Sequence, residues 1–412
     1  MKKGIVALFA VASVTTVCWL IPVIGSQTPF GYSLARLIGS LALAGFACTF
    51  VIATRNRALD SLFNGLDKAY IVHRWTGIVS VALASAHPVI LITARMALRS
   101  ATLYRWTWGL PSLILFVILI STAIIAKKLN YETWKIIHKF MVFPYAIGVY
   151  HYYIASRDPL AFNAFNTWMH LLNLAGIVSA IYIVFLFEQT AFSAKYKIIS
   201  VQKVANKIFE ITGQATGKHI TYRPGQFVFL KIPKSNVQFT SHPFTISNSP
   251  QSDTIRFTIK TLGDHTAKLA ETIKVGDEFL TSSPYGMFDY TSGGKHQIWI
   301  AGGIGITPFL TFFQSNIPED FSVDLFYAYN GDEGAYLNEL KNLNKPNLRV
   351  NLIDSLQEGF LTVERIKETT NVNNEPDVYF CGPKAMLDSL RIGFKNSGIF
   401  VKFHFEEFTF GR

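Results

Sequence analysis

The stretch from Ile71 to Thr93 reads IVHRWTGIVSVALASAHPVILIT. It is long enough to cross a bilayer as a helix, which takes roughly 20 residues. Yet it holds two imidazoles, His73 and His87. Ionisable groups in so apolar a setting are costly and mark function. A second stretch of the same kind, Trp134–Ala155, carries His138 and His151. Four more apolar stretches of spanning length cover Gly4–Ile24, Tyr32–Thr54, Leu110–Ala126 and Trp168–Phe187. A six-helix transmembrane bundle over residues 1–190 is the expected N-terminal domain. Lys2 and Lys3 precede the first stretch as in a signal peptide, but the run is long and no small-x-small cleavage site follows it. The bulky Val17 before Cys18 also argues against a lipoprotein site, so this stretch reads as an uncleaved helix.

Composition agrees with a chain that is half membrane domain. Of 412 residues, 50% are hydrophobic and 16% charged, against about 25% charged in ordinary soluble domains. This excludes a disordered or fibrous chain. The net charge of +11 is unevenly placed: residues 1–190 hold 15 Lys+Arg against 5 Asp+Glu, and the rest is nearly neutral. Basic residues confined to the apolar half indicate membrane edges, not a nucleic-acid surface. Lys2, Lys3, Arg55, Arg57, Lys68, Arg74, Lys127, Lys128, Lys135 and Lys139 gather on one side of six alternating helices, together with Lys195 and Lys197 beyond the last. Only Arg36, Arg95, Arg99, Arg105 and Arg157 fall on the other side. This asymmetry puts the N-terminus and everything after residue 190 in the cytoplasm. Cys18, Cys48 and Cys381 have no spacing that suggests a zinc site, a disulfide framework or an iron–sulfur cluster.

The third and fifth helices run in the same direction. His73 and His138 therefore share one depth, and His87 and His151 another. Two imidazoles facing each other between helices can hold a b-type haem on both axial faces. All four histidines are thus candidate ligands of two haem irons. The competing reading has them capping helix ends or bonding carbonyls. Along a helix, 13 or 14 residues span about 20 Å and turn the second ring about 40° (third helix) or 140° (fifth helix) from the first. The fifth helix must therefore be distorted, and Pro144 predicts a bend or π-bulge over Phe140–Pro144. Arg36 either pairs with a haem propionate, lines an outer acceptor site or snorkels to the interface. His170 has no partner at matching depth and reads as a packing or interface residue. Trp75, Trp106, Trp108, Trp134 and Trp168 sit at helix ends, as an aromatic belt would.

After Glu188 the pattern changes. Short β-runs at Tyr196–Gln202, Ile208–Thr212, Gln226–Ile232, Thr254–Thr261 and Glu278–Ser282 predict an antiparallel β-barrel over 191–292. Residues 293–412 alternate strand and helix: Gln297–Ala301, a helix after Pro308, Asp324–Tyr329, Tyr336–Leu343, Arg349–Leu352, Asp377–Phe380 and Lys384–Asn396. This predicts a doubly wound α/β domain. Its first strand leads into Gly302-Gly303-Ile304-Gly305-Ile306-Thr307-Pro308. That turn suits either a pyrophosphate at a helix N-terminus or tight packing alone. Cys381-Gly382-Pro383 ends a later strand at the same sheet edge. Phe403–Phe410 alternates aromatic residues as an edge strand does.

The segment His242-Pro243-Phe244-Thr245-Ile246-Ser247 resembles the FAD-binding signature of ferredoxin-reductase-like flavoproteins, in the form typical of NADPH oxidases and ferric reductases. Gly302–Pro308 and Cys381-Gly382-Pro383 resemble that superfamily's pyridine-nucleotide motifs. The spacing of the four membrane histidines is similar to that of its transmembrane flavocytochromes. The resemblance covers nearly the whole chain in the expected order. It implies FAD and NADPH or NADH besides the haems. Thr245 would contact the flavin near N5, and His242 and the backbone around Ser247 would hold the ribityl and pyrophosphate portions. Gly263-Asp264-His265-Thr266 would add phosphate contacts, and Pro284–Phe288 would close the barrel near the cofactor. Phe410 would stack on the isoalloxazine. Thr245, Cys381 and Phe410 are the implied catalytic residues. The end of the second strand, Tyr327–Glu333, lacks the Arg that often meets a 2′-phosphate, and its acids are expected to repel that group.

The implied activity is transmembrane electron transfer by a multi-pass plasma-membrane protein, from NAD(P)H through FAD and two haems to an acceptor on the far face. O₂, giving superoxide, is the first candidate, because the outer loops are short and show no metal-ligand cluster. A ferric chelate is the second. A haem sensor or an electron-transfer subunit serving a membrane partner is a third reading, which an intact nucleotide module disfavours.

Overall fold

The computed structural model describes residues 1–24, 26–98, 108–125, 131–156, 158–233, 241–372 and 375–406. The described residues divide into two compact units, one within residues 1–190 and the other within residues 191–406.

The first unit is helical: α1 (Lys2–Val23), α2 (Phe30–Ala53), α3 (Arg57–Phe63), α4 (Leu66–Leu98), α5 (Gly109–Ile125), α6 (Tyr131–Lys139), α7 (Val142–Ala155), α8 (Ala164–Ile181) and α9 (Phe187–Thr190). Four helices are long and apolar enough to cross a membrane: Lys2–Val23, Phe30–Ala53, Leu66–Ala94 and Ala164–Thr190. The α5 helix is apolar but shorter, and the expected fifth span is two helices, α6 and α7. Buried positions on α8 (Asn166, Met169, Asn173, Gly176 and Ala180) recur at helical spacing and form one inward stripe. At Gly176 the stripe lies so close to α2 that a Cβ there would sit 3.0 Å from the Cα of Ala47. Small residues permit this approach, which drives helix association in lipid. The side chain of Asn163 caps α8 by accepting from the Asn166 N–H.

The second unit has eleven strands among its described residues. Six form one antiparallel sheet: β1 (Phe192–Ala205), β2 (Ile208–Ala215), β3 (Phe227–Lys231), β4 (His242–Thr245), β5 (Thr254–Lys260) and β6 (Glu278–Ser282), in the order β4-β3-β6-β1-β2-β5. The two edge strands are joined by a bridge between Ile246 and Phe257. Strict alternation of buried and exposed residues along Phe192–Ile199 shows why β1 forms: one face packs inward and the other meets solvent. Helix α10 (Asp264–Thr272) follows β5.

The other five strands are β7 (His296–Gly302), β8 (Ser322–Tyr329), β9 (Leu348–Asp354), β10 (Asp377–Cys381) and β11 (Lys402–Phe405). They form a parallel sheet in the order β11-β10-β7-β8-β9. It is flanked by α11 (Thr307–Gln314), α12 (Leu337–Lys341), α13 (Ser355–Glu358), α14 (Val363–Thr369) and α15 (Lys384–Asn396). Two apolar clusters bury its strands, one holding Trp299, Phe309 and Tyr327, the other Ile298, Phe326 and Phe380. Strand order reverses between β7 and β10, and in open α/β sheets ligands bind beyond the strand ends at such a point.

Candidate functional site

In the helical unit, His73 and His87 on α4 face His138 and His151 on α6 and α7. The ring centres of His73 and His138 are 6.1 Å apart, crossed at 65°. Those of His87 and His151 are 6.4 Å apart, crossed at 69°. The Nδ1 of His73 lies 3.0 Å from the Thr49 carbonyl oxygen, and that of His87 lies 2.7 Å from the Ala35 carbonyl oxygen. A carbonyl only accepts, so both Nδ1 atoms carry the proton and Nε2 keeps its lone pair for a metal. The capping alternative thus describes only half of each ring.

The spacing fits an iron between each pair. With a metal–nitrogen bond of about 2 Å on each side and the ring centre roughly 1.1 Å beyond each nitrogen, two axial imidazoles have centres about 6.3 Å apart. Among the described residues, no group of three or more His, Cys, Asp or Glu could hold a metal ion. A haem iron needs only the two. The rings are also closely fitted: a Cβ at Gly39 would sit 2.9 Å from Nδ1 of His87, and one at Gly109 would sit 2.9 Å from Nε2 of His151. A cavity beside the His87–His151 pair is lined by Tyr32, Arg36, Tyr152 and Ser156. Arg36 is therefore brought to that pair. His170 bonds Tyr153, its Nδ1 lying 2.8 Å from the hydroxyl. Trp134 stacks on His138 and Trp168 donates to Thr15, so these two indoles serve the interior as well as any belt.

The expected distortion of the fifth segment occurs at Phe140–Met141, but as a tight turn and not a π-bulge. Phe140 N–H donates to Ile137, Met141 to His138 and Phe143 to Phe140, all three residues back. A 3₁₀ turn advances about 120° and 2.0 Å per residue. Three such residues in thirteen give a rise of about 21 Å, equal to fourteen α-helical residues, and cut the angular mismatch to about 80°. Overwinding therefore corrects both depth and direction, whereas a wide turn would increase the mismatch. The π-turn lies elsewhere, at Tyr182–Leu186.

In the second unit, two loops meet at the reversal of strand order. Gly302 and Gly382 touch backbone to backbone, and a Cβ at Gly305 would lie 2.0 Å from the carbonyl oxygen of Cys381. These three glycines are packing residues. Gly303 differs: its φ is +54° and nothing lies within 4 Å of its Cβ direction, so it presents backbone to open space. Ile306 and Pro308 are buried beneath the loop, and Thr307 Oγ1 donates to the Ile304 carbonyl. The α11 helix begins directly after this loop.

Thr245, on β4, pairs with Phe227 in register, and Phe227 pairs with Tyr285. A Cβ at the neighbouring Gly286 would lie 2.7 Å from Glu406 Oε1 and 3.2 Å from Phe227. Glu406 is buried and interacts electrostatically with Cys381. Burial first, then this carboxylate, pushes the Cys381 thiol well above its ordinary range. The sulfur is thus an S–H, not a nucleophilic thiolate. Cys381 and Glu406 thus interact directly, and Phe227 and Gly286 stand between Glu406 and Thr245. Glu406 was missed in the sequence, because an acidic pair in an aromatic run carries no spacing signal. The ring centres of His242 and His265 lie 3.8 Å apart with the planes tilted by 32°, joining the signature strand to the start of α10, where Thr266 caps the helix. Phe410 lies outside the described residues.

The acids after β8 have partners on the antiparallel-sheet side of the unit. Asp332 accepts from the Asn206 side-chain amide at 3.0 Å. Glu333 bonds Lys260 at 2.6 Å and Lys207 at 3.4 Å. The two lysines offset the charge of Glu333, whereas the partner of Asp332 is a neutral amide.

A helical membrane domain followed by flavin- and nucleotide-binding folds defines the class: a membrane-attached oxidoreductase module. Residues 38–149 match the ferric reductase like transmembrane component family, 193–317 the FAD-binding domain family and 299–391 the oxidoreductase NAD-binding domain family. In this combination and order the three matches agree with the NADPH oxidase/ferric reductase superfamily.

Among curated relatives, flavohemoprotein A of Dictyostelium discoideum is 26% identical over 46% of this chain and 53% of its own length. The 2-halobenzoate 1,2-dioxygenase electron transfer component of Burkholderia cepacia is 26% identical over 46% of this chain and 60% of its own. The chain thus spans just over half the length of these relatives. A ferredoxin NADP⁺ reductase from Neisseria gonorrhoeae, solved with FAD and NADP, is 17% identical and matches 53% of this chain and all of its own with a TM-score of 0.47.

Proposed function

We propose that the protein transfers electrons from cytoplasmic NAD(P)H across the membrane to an acceptor on the opposite face, O₂ being the first candidate and superoxide the product. The observation that carries this reading is the pair of facing histidine couples at 6.1 and 6.4 Å, separated by thirteen or fourteen residues along their helices. Bound FAD supplies the change from a two-electron donor to single electrons, and two b-type haems supply one-electron carriers at two depths. His73 and His138 hold the inner haem, and His87 and His151 the outer. The Thr49 and Ala35 carbonyls fix the α4 rings in the tautomer that leaves Nε2 free. Gly303 and the start of α11 offer amide donors to the nucleotide pyrophosphate. Thr245, the Cys381 S–H and Glu406 line the place where nicotinamide meets flavin, with Phe410 as its aromatic cover.

Four long apolar helices, α5 and the α6–α7 pair support six crossings. The excess of Lys and Arg on one side supports a cytoplasmic N-terminus and C-terminal module. The domain limits at 190 and 292 follow this division of labour. A ferric chelate is the second acceptor, favoured by the family match of residues 38–149. Purified protein supplied with FAD and NAD(P)H alone should reduce cytochrome c in air, sensitive to superoxide dismutase. Rapid anaerobic reduction of ferric citrate, with no superoxide in air, would replace O₂ by iron. No turnover without a partner would make the chain an electron-transfer subunit.

A further inference from the structure

The antiparallel and parallel sheets are tied together by a buried hydrogen-bond chain that no part of the proposed chemistry uses. Tyr336, at the start of α12, holds φ +60° and ψ +22°, a left-handed conformation that bulky side chains rarely adopt. Its hydroxyl donates to Glu210 Oε2 on β2 at 2.5 Å and lies 2.7 Å from Thr258 Oγ1 on β5. Thr258 is in turn 3.0 Å from Ser247 Oγ. Arg256, also on β5, stands 3.6 Å from Glu210 and donates to the Ser247 carbonyl. Its guanidinium lies over the Tyr336 ring, 5.5 Å from the centre. Glu210, Thr258 and Ser247 are all buried. Three residues before Tyr336, Glu333 of the same segment grips Lys260 of β5.

Strand β5 is therefore shared. On one side it holds the segment 331–336 that follows β8, where the ribose end of a dinucleotide lies in doubly wound folds. On the other it holds Ser247, whose N–H donates to the Arg256 carbonyl at 2.8 Å and which ends the flavin signature. A strained backbone persists only where its surroundings over-determine it, and here the surroundings are residues of the flavin-side sheet.

We infer that Tyr336 is a positioning residue for hydride transfer, its hydroxyl setting the nucleotide domain against the flavin strand through Glu210, Thr258 and Ser247. This rests on the proposed reading that residues 242–247 hold FAD and that NAD(P)H reduces it. Tyr336→Phe keeps the ring, its packing and its contact with Arg256, and removes only the pinning hydroxyl.

The test is anaerobic stopped-flow reduction of FAD in the full-length protein by NADH and by NADPH. The limiting rate of Tyr336→Phe should fall on the order of tenfold to a hundredfold, because small misplacements of reacting groups carry costs of that size. The apparent Kd for nucleotide and the FAD content should stay within about twofold, since neither depends on this alignment. Thr258→Val should act in the same direction and decides the matter if Tyr336→Phe does not fold. An unchanged limiting rate in the folded variant overturns the inference. So does a fall that merely tracks lost FAD, which would make the chain structural only. Wild-type protein that binds FAD but is reduced by neither nucleotide overturns the proposed function itself.

Discussion

The proton on Nδ1 of His87 is directed at the carbonyl oxygen of Ala35, 2.7 Å away on a neighbouring helix. The bond leaves Nε2 its lone pair, with the ring centre of His151 6.4 Å from that of His87. Replacing His87 or His151 by Ala should remove one of two haems and leave the inner site occupied. Haem content per FAD, measured by pyridine haemochrome, should fall by half. Loss of both haems, or of neither, would contradict separate sites.

Gly305→Ala should destabilise the nucleotide domain, because the new methyl would collide with the backbone of Cys381. Overpacking of this kind costs about 1–3 kcal/mol. Thermal release of FAD fluorescence should occur at lower temperature. An unchanged midpoint would mean that the two loops separate without cost.

Cys381 should resist alkylation in the folded protein at pH 8, since burial and the Glu406 carboxylate both keep it protonated. Peptide mapping after iodoacetamide treatment should find it unmodified until denaturant is added. Labelling of native protein at the rate of a free thiol would refute this.

Asp377 anchors the start of β10. Burial alone would raise its pKa, but bonds from the Gly294 N–H and His404, with Lys402 nearby, outweigh it and hold the carboxyl below its ordinary value. A depressed folded pKa contributes stability above the unfolded value, lost as pH falls through the folded one. Asp377→Asn should therefore be less stable at pH 7, and the gap from wild type should close as pH drops below about 4. A gap that widens on acidification would have the wrong sign.

Much of this site was legible because its signals are local. Glu278–Ser282 and Lys384–Asn396 were read with their exact ends, since alternation and helical spacing change abruptly at both. The histidine couples were readable because depth follows from counting residues along helices. What escaped depends on tertiary structure. The β4 strand was hidden by Pro243, which sits on a sheet edge where no N–H is needed. The sense of the turn at Phe140–Met141 depends on how far His138 must rotate to face His73. The partners of Asp332 and Glu333 (Asn206, and Lys207 with Lys260) lie more than seventy residues away in sequence, so local charge could not show them.

The turn at Phe140–Met141 acts as a vernier. The α4 helix spaces its histidines by fourteen residues and runs unbroken, while the partner segment spaces them by thirteen and overwinds to keep pace. The register of the fifth segment is thus one residue short of a plain helix. Inserting a single residue there would let α6 and α7 fuse into one uninterrupted rod with the ligand spacing of α4. One residue thus separates a ligand segment broken by a turn from a continuous one.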